Sequence, residues 1–175
     1  MIDKIQICKT RNVKTPVRAH IFDAGCDFFC PEDLTLEEMT KKFKITGDQL
    51  DTIVENRFIK RFFIKPGQSV LIPSGIKVNI PNGYVLNFEN KSGVASKKHL
   101  LFGSKVIDAG YEGIVHINLH NVGTCTVTID AGEKIALALM YKIEVPAVEV
   151  VDEQVLYSGV KSERGEGGFG STDSR

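Results

Sequence analysis

The chain has 175 residues, 42% of them hydrophobic, and its 22 Lys+Arg balance 22 Asp+Glu for a formal charge of zero. That length and apolar content fit one domain with a real core and exclude a disordered protein. The charge balance excludes broad attraction to nucleic acid or an anionic membrane, so any phosphate recognition has to be local.

The longest apolar run, Ile135 to Tyr141, is far short of a bilayer span, and the N-terminal residues do not read as a secretory leader. Cys8, Cys26, Cys30 and Cys125 contain no C-x-x-C pair, and Cys26 with Cys30 has poor spacing for zinc and no second ligand pair. The expectation is a soluble, cytoplasmic protein with reduced thiols.

In chain order, Ile2, Ile5 and Ile7 predict a first strand. Asp23-Ala24-Gly25-Cys26-Asp27-Phe28-Phe29 reads as a turn entering a second, with Gly25 permitting close backbone approach. Asp27 lies among apolar residues, so it is either the exposed side of an alternating strand or a carboxylate facing a site. Residues 34–60 read as a helical insert. Thr35 and Glu38 form a capping box for a helix through Phe43, and Asp48 can cap a second helix carrying Leu50, Ile53, Val54 and Phe58. The insert is expected to pack on the body; a docking surface for a protein partner is the alternative.

From Arg61 to Ile80 the pattern turns to β, with breaks at Pro66-Gly67, Pro73-Ser74-Gly75 and Pro81-Asn82-Gly83. Tyr84 to Phe88 is a further strand. Ile114 to His120 alternates with Val115, Ile117 and Leu119 inward, Thr124 to Ile129 is β-branched, and Lys134 to Ile143 reads as a strand buried on both sides. Many short strands without a βαβ rhythm predict an all-β sandwich, jelly roll or barrel. His116 and His120 would share a zinc ion on a helix, but on a strand they stand roughly 13 Å apart.

Three stretches carry chemistry. In Asn90 to Lys98, Ser92 can cap a short helix, and its hydroxyl, the following N–H groups and Lys91 make a local anion site. In Gly103 to Gly113, Asp108 emerges at a turn after Val106 and Ile107, able to meet a sugar hydroxyl or act as general base on water. The tail, Arg164 to Arg175, sets one large apolar residue, Phe169, among glycines. Its Gly165 to Gly170 matches G-x-G-x-x-G, but that fingerprint needs a following helix, and five residues remain. The tail is expected to be a mobile arm, residues 161–175, on a β domain of residues 1–160.

Together these stretches resemble the five motifs of the trimeric deoxyuridine triphosphatases (dUTPases). Asp23 to Asp27 is similar to the first, Lys91 to Ala95 to the second, Val106 to Gly113 to the third, Gly132-Glu133-Lys134-Ile135-Ala136 to the fourth, and Arg164 to Thr172 to the fifth. The resemblance implies a jelly-roll (β-clip) subunit in a homotrimer, with sites between subunits that a C-terminal arm closes. It implies hydrolysis of dUTP to dUMP and pyrophosphate with Mg²⁺, keeping uracil out of DNA. It further implies that Asp108 deprotonates water, that Tyr111 packs under the sugar, and that the hairpin of Lys105, Val106 and Ile107 reads uracil. Lys91, Ser92 and Gly93 would hold phosphates and Asp27 would support hydrated magnesium. Phe169 would stack on the base, with Arg164, Gly170, Ser171 and Thr172 reaching the outer phosphates.

Three positions depart from the family pattern: Lys91 replaces an Arg and loses its bidentate fork, Leu137 replaces a Gln, and Lys105 replaces a Gly beside the uracil hairpin. The related bifunctional dCTP deaminases need a Glu on the strand after the third motif, where this chain has Asn118, which cannot act as a base. A nucleotide-binding regulatory protein acting through the insert is the non-catalytic alternative.

Overall fold

The Pro and Gly punctuation of the sequence resolves into short strands separated by tight turns. The computed structural model describes residues 4–43, 51–159, 162 and 165–167. In chain order these hold β1 (Gln6–Lys9), β2 (Cys26–Phe29), α1 (Leu36–Phe43), β3 (Asp51–Glu55), β4 (Phe58–Ile64), β5 (Ser69–Pro73) and β6 (Ile76–Asn79). There follow β7 (Tyr84–Glu89), α2 (Ser92–Lys98), β8 (Leu100–Phe102), β9 (Val106–Ile107), β10 (His116–Asn121), β11 (Val127–Asp130), β12 (Lys134–Lys142) and α3 (Glu153–Leu156). All described ladders are antiparallel, in sheets ordered β2-β12-β7-β9, β5-β10-β8, β11-β4-β3 and β1-β6. The fold is the expected all-β jelly roll.

The inner faces meet in one core. On β10, Ile117 and Leu119 are fully buried while His116, Asn118 and His120 alternate outward, as the period-2 pattern requires. Phe88 of β7 packs edge-on against Phe28 of β2, with ring centroids 5.2 Å apart, and stacks on Phe102 of β8 at 5.4 Å. These rings tie the sheet that carries β2 and β7 to its neighbour, and such pairs contribute about 1 kcal/mol beyond burial. Among the described residues, no helix is long and apolar enough to cross a membrane.

The insert is half as expected. Glu38 N–H donates to Thr35 Oγ1 at 3.2 Å, so the cap forms, but the Glu38 carboxylate reaches Arg11 instead of closing the box. Met39 and Leu34 are fully buried and dock α1 on the body. The second helix is a correction: Ile53 and Val54 lie in β3 and Phe58 begins β4, while Asp48 and Leu50 lie outside the described residues. The reason is partly local, and partly the pairing of β4 with β11. Thr52-Ile53-Val54 is β-branched, and Asn56 and Arg57 both take positive φ (49° and 67°), the two-residue turn that matches strand twist.

β12 is also less enclosed than expected. It pairs with β2 from Lys134 to Ala138 and with β7 from Leu137 to Lys142, so only Leu137 and Ala138 have strands on both sides, and Tyr141 and Ile143 are exposed. The first strand begins at Gln6, with Ile2 outside the described residues. Likewise β11 begins only at Val127.

The chain divides into two compact units, Met1–Glu144 and Val145–Arg175. The first holds every strand of the described residues. The second contains the single-turn helix α3, led by Asp152, whose carbonyl accepts from Val155 N at 2.9 Å. The compositional division expected at residue 160 lies within this second unit. Arg164, Phe169, Gly170, Ser171 and Thr172 lie outside the described residues.

Candidate active site

Asp27 is the polar centre of the first unit. Gly25 precedes it because only glycine fits: a Cβ there would stand 2.7 Å from the Ala138 carbonyl oxygen and 2.8 Å from the Leu137 side chain. This close approach lays β2 on β12 with Asp27 opposite Leu137, which in turn stands opposite Glu89 on β7. Asp27 is buried at 4% exposure, so the bland reading of an exposed strand carboxylate is excluded. Lys91 Nζ donates to its Oδ1 at 2.8 Å, and Lys134 Nζ lies 3.0 Å from Oδ2. Burial pushes the Asp27 carboxyl up, but the hydrogen bonds from Lys91 and Lys134 outweigh it and hold the group below its ordinary 3.8.

Three of the sequence motifs therefore converge on one carboxylate: Asp27 from the first, Lys91 from the second, Lys134 from the fourth. Lys134 was not singled out in the sequence, although it stands inside the fourth motif. The β2–β12 register shifts between Lys134 and Ala136, and Lys134 reaches Asp27 from beside that shift.

Lys91, not Ser92, is the N-cap of α2. Its carbonyl accepts from Val94 and Ala95 N–H at 2.9 Å each, and no side chain caps the helix. Ser92 and Gly93 form the exposed first turn, and nothing lies within 4 Å of where a Gly93 Cβ would stand. The other end of α2 is anchored where Lys98 meets the Thr128 carbonyl at 2.7 Å and the Glu133 carboxylate.

The third motif grows from a sheet edge. β9 pairs with β7 through Leu86–Ile107 and Asn87–Val106, and Phe88 N–H donates to Lys105 O at 2.9 Å. Bonded and non-bonded pairs alternate in an antiparallel ladder, so Val106, between two bonded positions, turns its own N–H and C=O away from β7. Its side chain is 64% exposed, while Ile107 is buried. Asp108 follows at the surface and opens a turn closed by Tyr111 N to Asp108 O at 3.2 Å, with Gly110 at φ 86°. Tyr111 donates its hydroxyl to Ile114 O at 3.0 Å and folds over Gly113, where a Cβ would meet the phenol oxygen at 2.3 Å. A groove of about 440 Å³, lined in part by Ile7, Val78 and Tyr111, opens beside this turn. Lys105 Nζ lies 3.0 Å from Glu89 Oε2.

The chain thus offers a lysine pair held by Asp27, a backbone edge at Val106 whose peptide groups face away from β7, and an exposed carboxylate at Asp108. Among the described residues no group of three or more His, Cys, Asp or Glu comes together to hold a metal. Both Asp27 oxygens already meet lysine ammonium groups, so Asp27 is not free to ligate a metal directly and would support one only through water.

The family model described as dUTPase matches residues 57–173. A deoxyuridine 5′-triphosphate nucleotidohydrolase of Mycobacterium sp. (strain JLS) is 33% identical over 168 residues, covering 93% of this chain and 89% of its own. A point mutant of the Staphylococcus bacteriophage 80alpha dUTPase, solved with dUpNHpp, aligns at TM-score 0.73 and 26% identity over 97% of this chain and 98% of its own. A point mutant of the dUTPase from phage phi11 of S. aureus, described for the coordination of a structural Mg(II) ion, aligns at TM-score 0.66 and 25% identity over 86% and 98%.

Proposed function

The chain belongs to the dUTPase family and is a dUTP diphosphatase, and we propose that it works with Mg²⁺ through a water activated by Asp108. The observation that carries this reading is the spacing of the third motif. Asp108 emerges two residues after Val106, whose peptide groups face outward from an edge strand. A base held at that edge sets its sugar over Tyr111 and its phosphates toward the lysines, leaving the Asp108 carboxylate to orient and deprotonate water.

Charge is neutralised from the other side. Lys91 gives one of its three N–H donors to Asp27, leaving two for phosphate oxygens, and Lys134 is held likewise. The buried Asp27 fixes both ammonium groups before substrate arrives, which lowers the reorganisation needed at the transition state. Ser92 and Gly93 add N–H groups at the first turn of α2. Magnesium, bound on the triphosphate, would supply further charge neutralisation at phosphorus.

Family likeness supports a homotrimer with sites between subunits and an arm, residues 161–175, that closes each site. In that arm Phe169 would cover the base, while Arg164, Gly170, Ser171 and Thr172 would meet the outer phosphates. Closure would exclude bulk water and strengthen each charge contact. We place the enzyme in the cytoplasm, removing dUTP before it enters DNA.

The test is turnover of dUTP in ¹⁸O-labelled water, with a divalent chelator and with Mg²⁺ restored. One labelled oxygen in the products and Mg²⁺-dependent recovery are expected. Unlabelled products, or full activity in chelator, would overturn the mechanism.

A further inference from the structure

Lys105 stands where the family pattern has glycine, and the structure gives it a partner. Its carbonyl accepts from Phe88 N–H at 2.9 Å, and its ammonium lies 3.0 Å from Glu89 Oε2. The other oxygen of Glu89 accepts from Asn87 Nδ2 at 2.6 Å. Asn87 is the residue directly opposite Val106. The Glu89 carboxylate, on β7, therefore joins Asn87 of its own strand to Lys105, the residue that leads into β9, where the ladder turns the Val106 peptide outward.

β9 needs such a grip. It has two residues and pairs with β7 at only two register positions. An edge strand that short frays readily, and fraying would misplace the N–H and C=O groups offered to a ligand. A lysine here also brings a mobile donor. Left loose, its ammonium would compete for the acceptor oxygens of the base. Held by Glu89, it instead stiffens the edge.

We propose that Glu89 is a positioning residue that, through Lys105 and Asn87, fixes the Val106 edge and so sets affinity for the uracil base. The proposal rests on the reading that this edge meets the base. Glu89 touches no reacting atom, so its removal acts on binding more than on the chemical step.

The experiment measures dUMP binding by calorimetry and dUTP steady-state kinetics on the full chain. Glu89→Gln keeps the side-chain volume and removes the charge. It is expected to weaken dUMP binding and raise KM for dUTP about tenfold, the order of one charge-assisted hydrogen bond, with kcat within about twofold. Adding Lys105→Gly removes the unpaired ammonium but not the looseness of the edge, so dUMP affinity is expected to stay at least about threefold below the parent. Unchanged dUMP binding in Glu89→Gln, or a double variant restored to parental affinity, would overturn the proposal. Failure of the parent chain to turn over dUTP would instead count against the mechanism of Asp108, because dUMP affinity reads the clamp without turnover.

Discussion

Lys91 Nζ sits 2.8 Å from Oδ1 of Asp27, joining two residues 64 positions apart in sequence at a carboxylate that is 4% exposed. With Lys134 on the second oxygen, Asp27 holds together residues from three of the motifs. Its burial disfavours the charge, and two ammonium groups restore it.

Replacing Asp27 by Asn is expected to destabilise the chain by about 1–2 kcal/mol at pH 7. The cost is below that of a fully buried pair, because both lysines retain access to water. Since the folded carboxyl lies below its ordinary 3.8, its contribution is present above that value and is lost as pH falls through the folded pKa. Urea unfolding should show a constant gap between parent and variant from pH 7 to 5 that closes below pH 4. A gap that widens in acid would contradict the pairing.

Asp108→Asn is expected to lower kcat by at least about 10³-fold, the scale of losing a general base, while leaving dUTP affinity within about threefold. The side chain is exposed and opens a turn through its backbone carbonyl, so folding should be unaffected. Kinetics paired with calorimetry decide this. Lost binding at full stability would make Asp108 a ligand contact, not a base.

Gly113→Ala should disturb sugar selection. The new methyl would overlap the Tyr111 phenol, whose ring has to swing off its hydrogen bond to Ile114 O. Discrimination of dUTP over UTP, as the ratio of kcat/KM values, is expected to fall about tenfold or more. An unaltered ratio would remove Tyr111 from the sugar site.

How far the sequence discloses this molecule depends on the length scale of each interaction. Strands with strict alternation, such as Val115-Ile117-Leu119, are legible because burial of one face writes itself into every second residue. The hairpin of β3 and β4 was not, because Ile53, Val54 and Phe58 also fit a helical stripe, and only the positive-φ pair Asn56-Arg57 and long-range pairing with β11 decide for strand. At the site, Asp27, Lys91 and Asp108 could be named from motif order. The roles of Lys134, though it stands in the fourth motif, and of Glu89 could not, because their partners are brought close by the sheet: Asp27 beside Lys134 and Lys105 beside Glu89.

Truncation before Arg164 should leave the melting temperature within about 2 °C, because the β core lies wholly within Met1–Glu144. Activity on dUTP is expected to drop by about 100-fold or more through loss of closure. Near-parental turnover by the truncated chain would refute the closing role of Phe169 and its neighbours.

The most direct measurement assays the purified chain against dUTP, dCTP, dTTP and UTP with Mg²⁺, following pyrophosphate and ammonia together. The account predicts pyrophosphate from dUTP, far slower release from the other three, and no ammonia from dCTP. Ammonia from dCTP, or equal turnover of dTTP and dUTP, would contradict it.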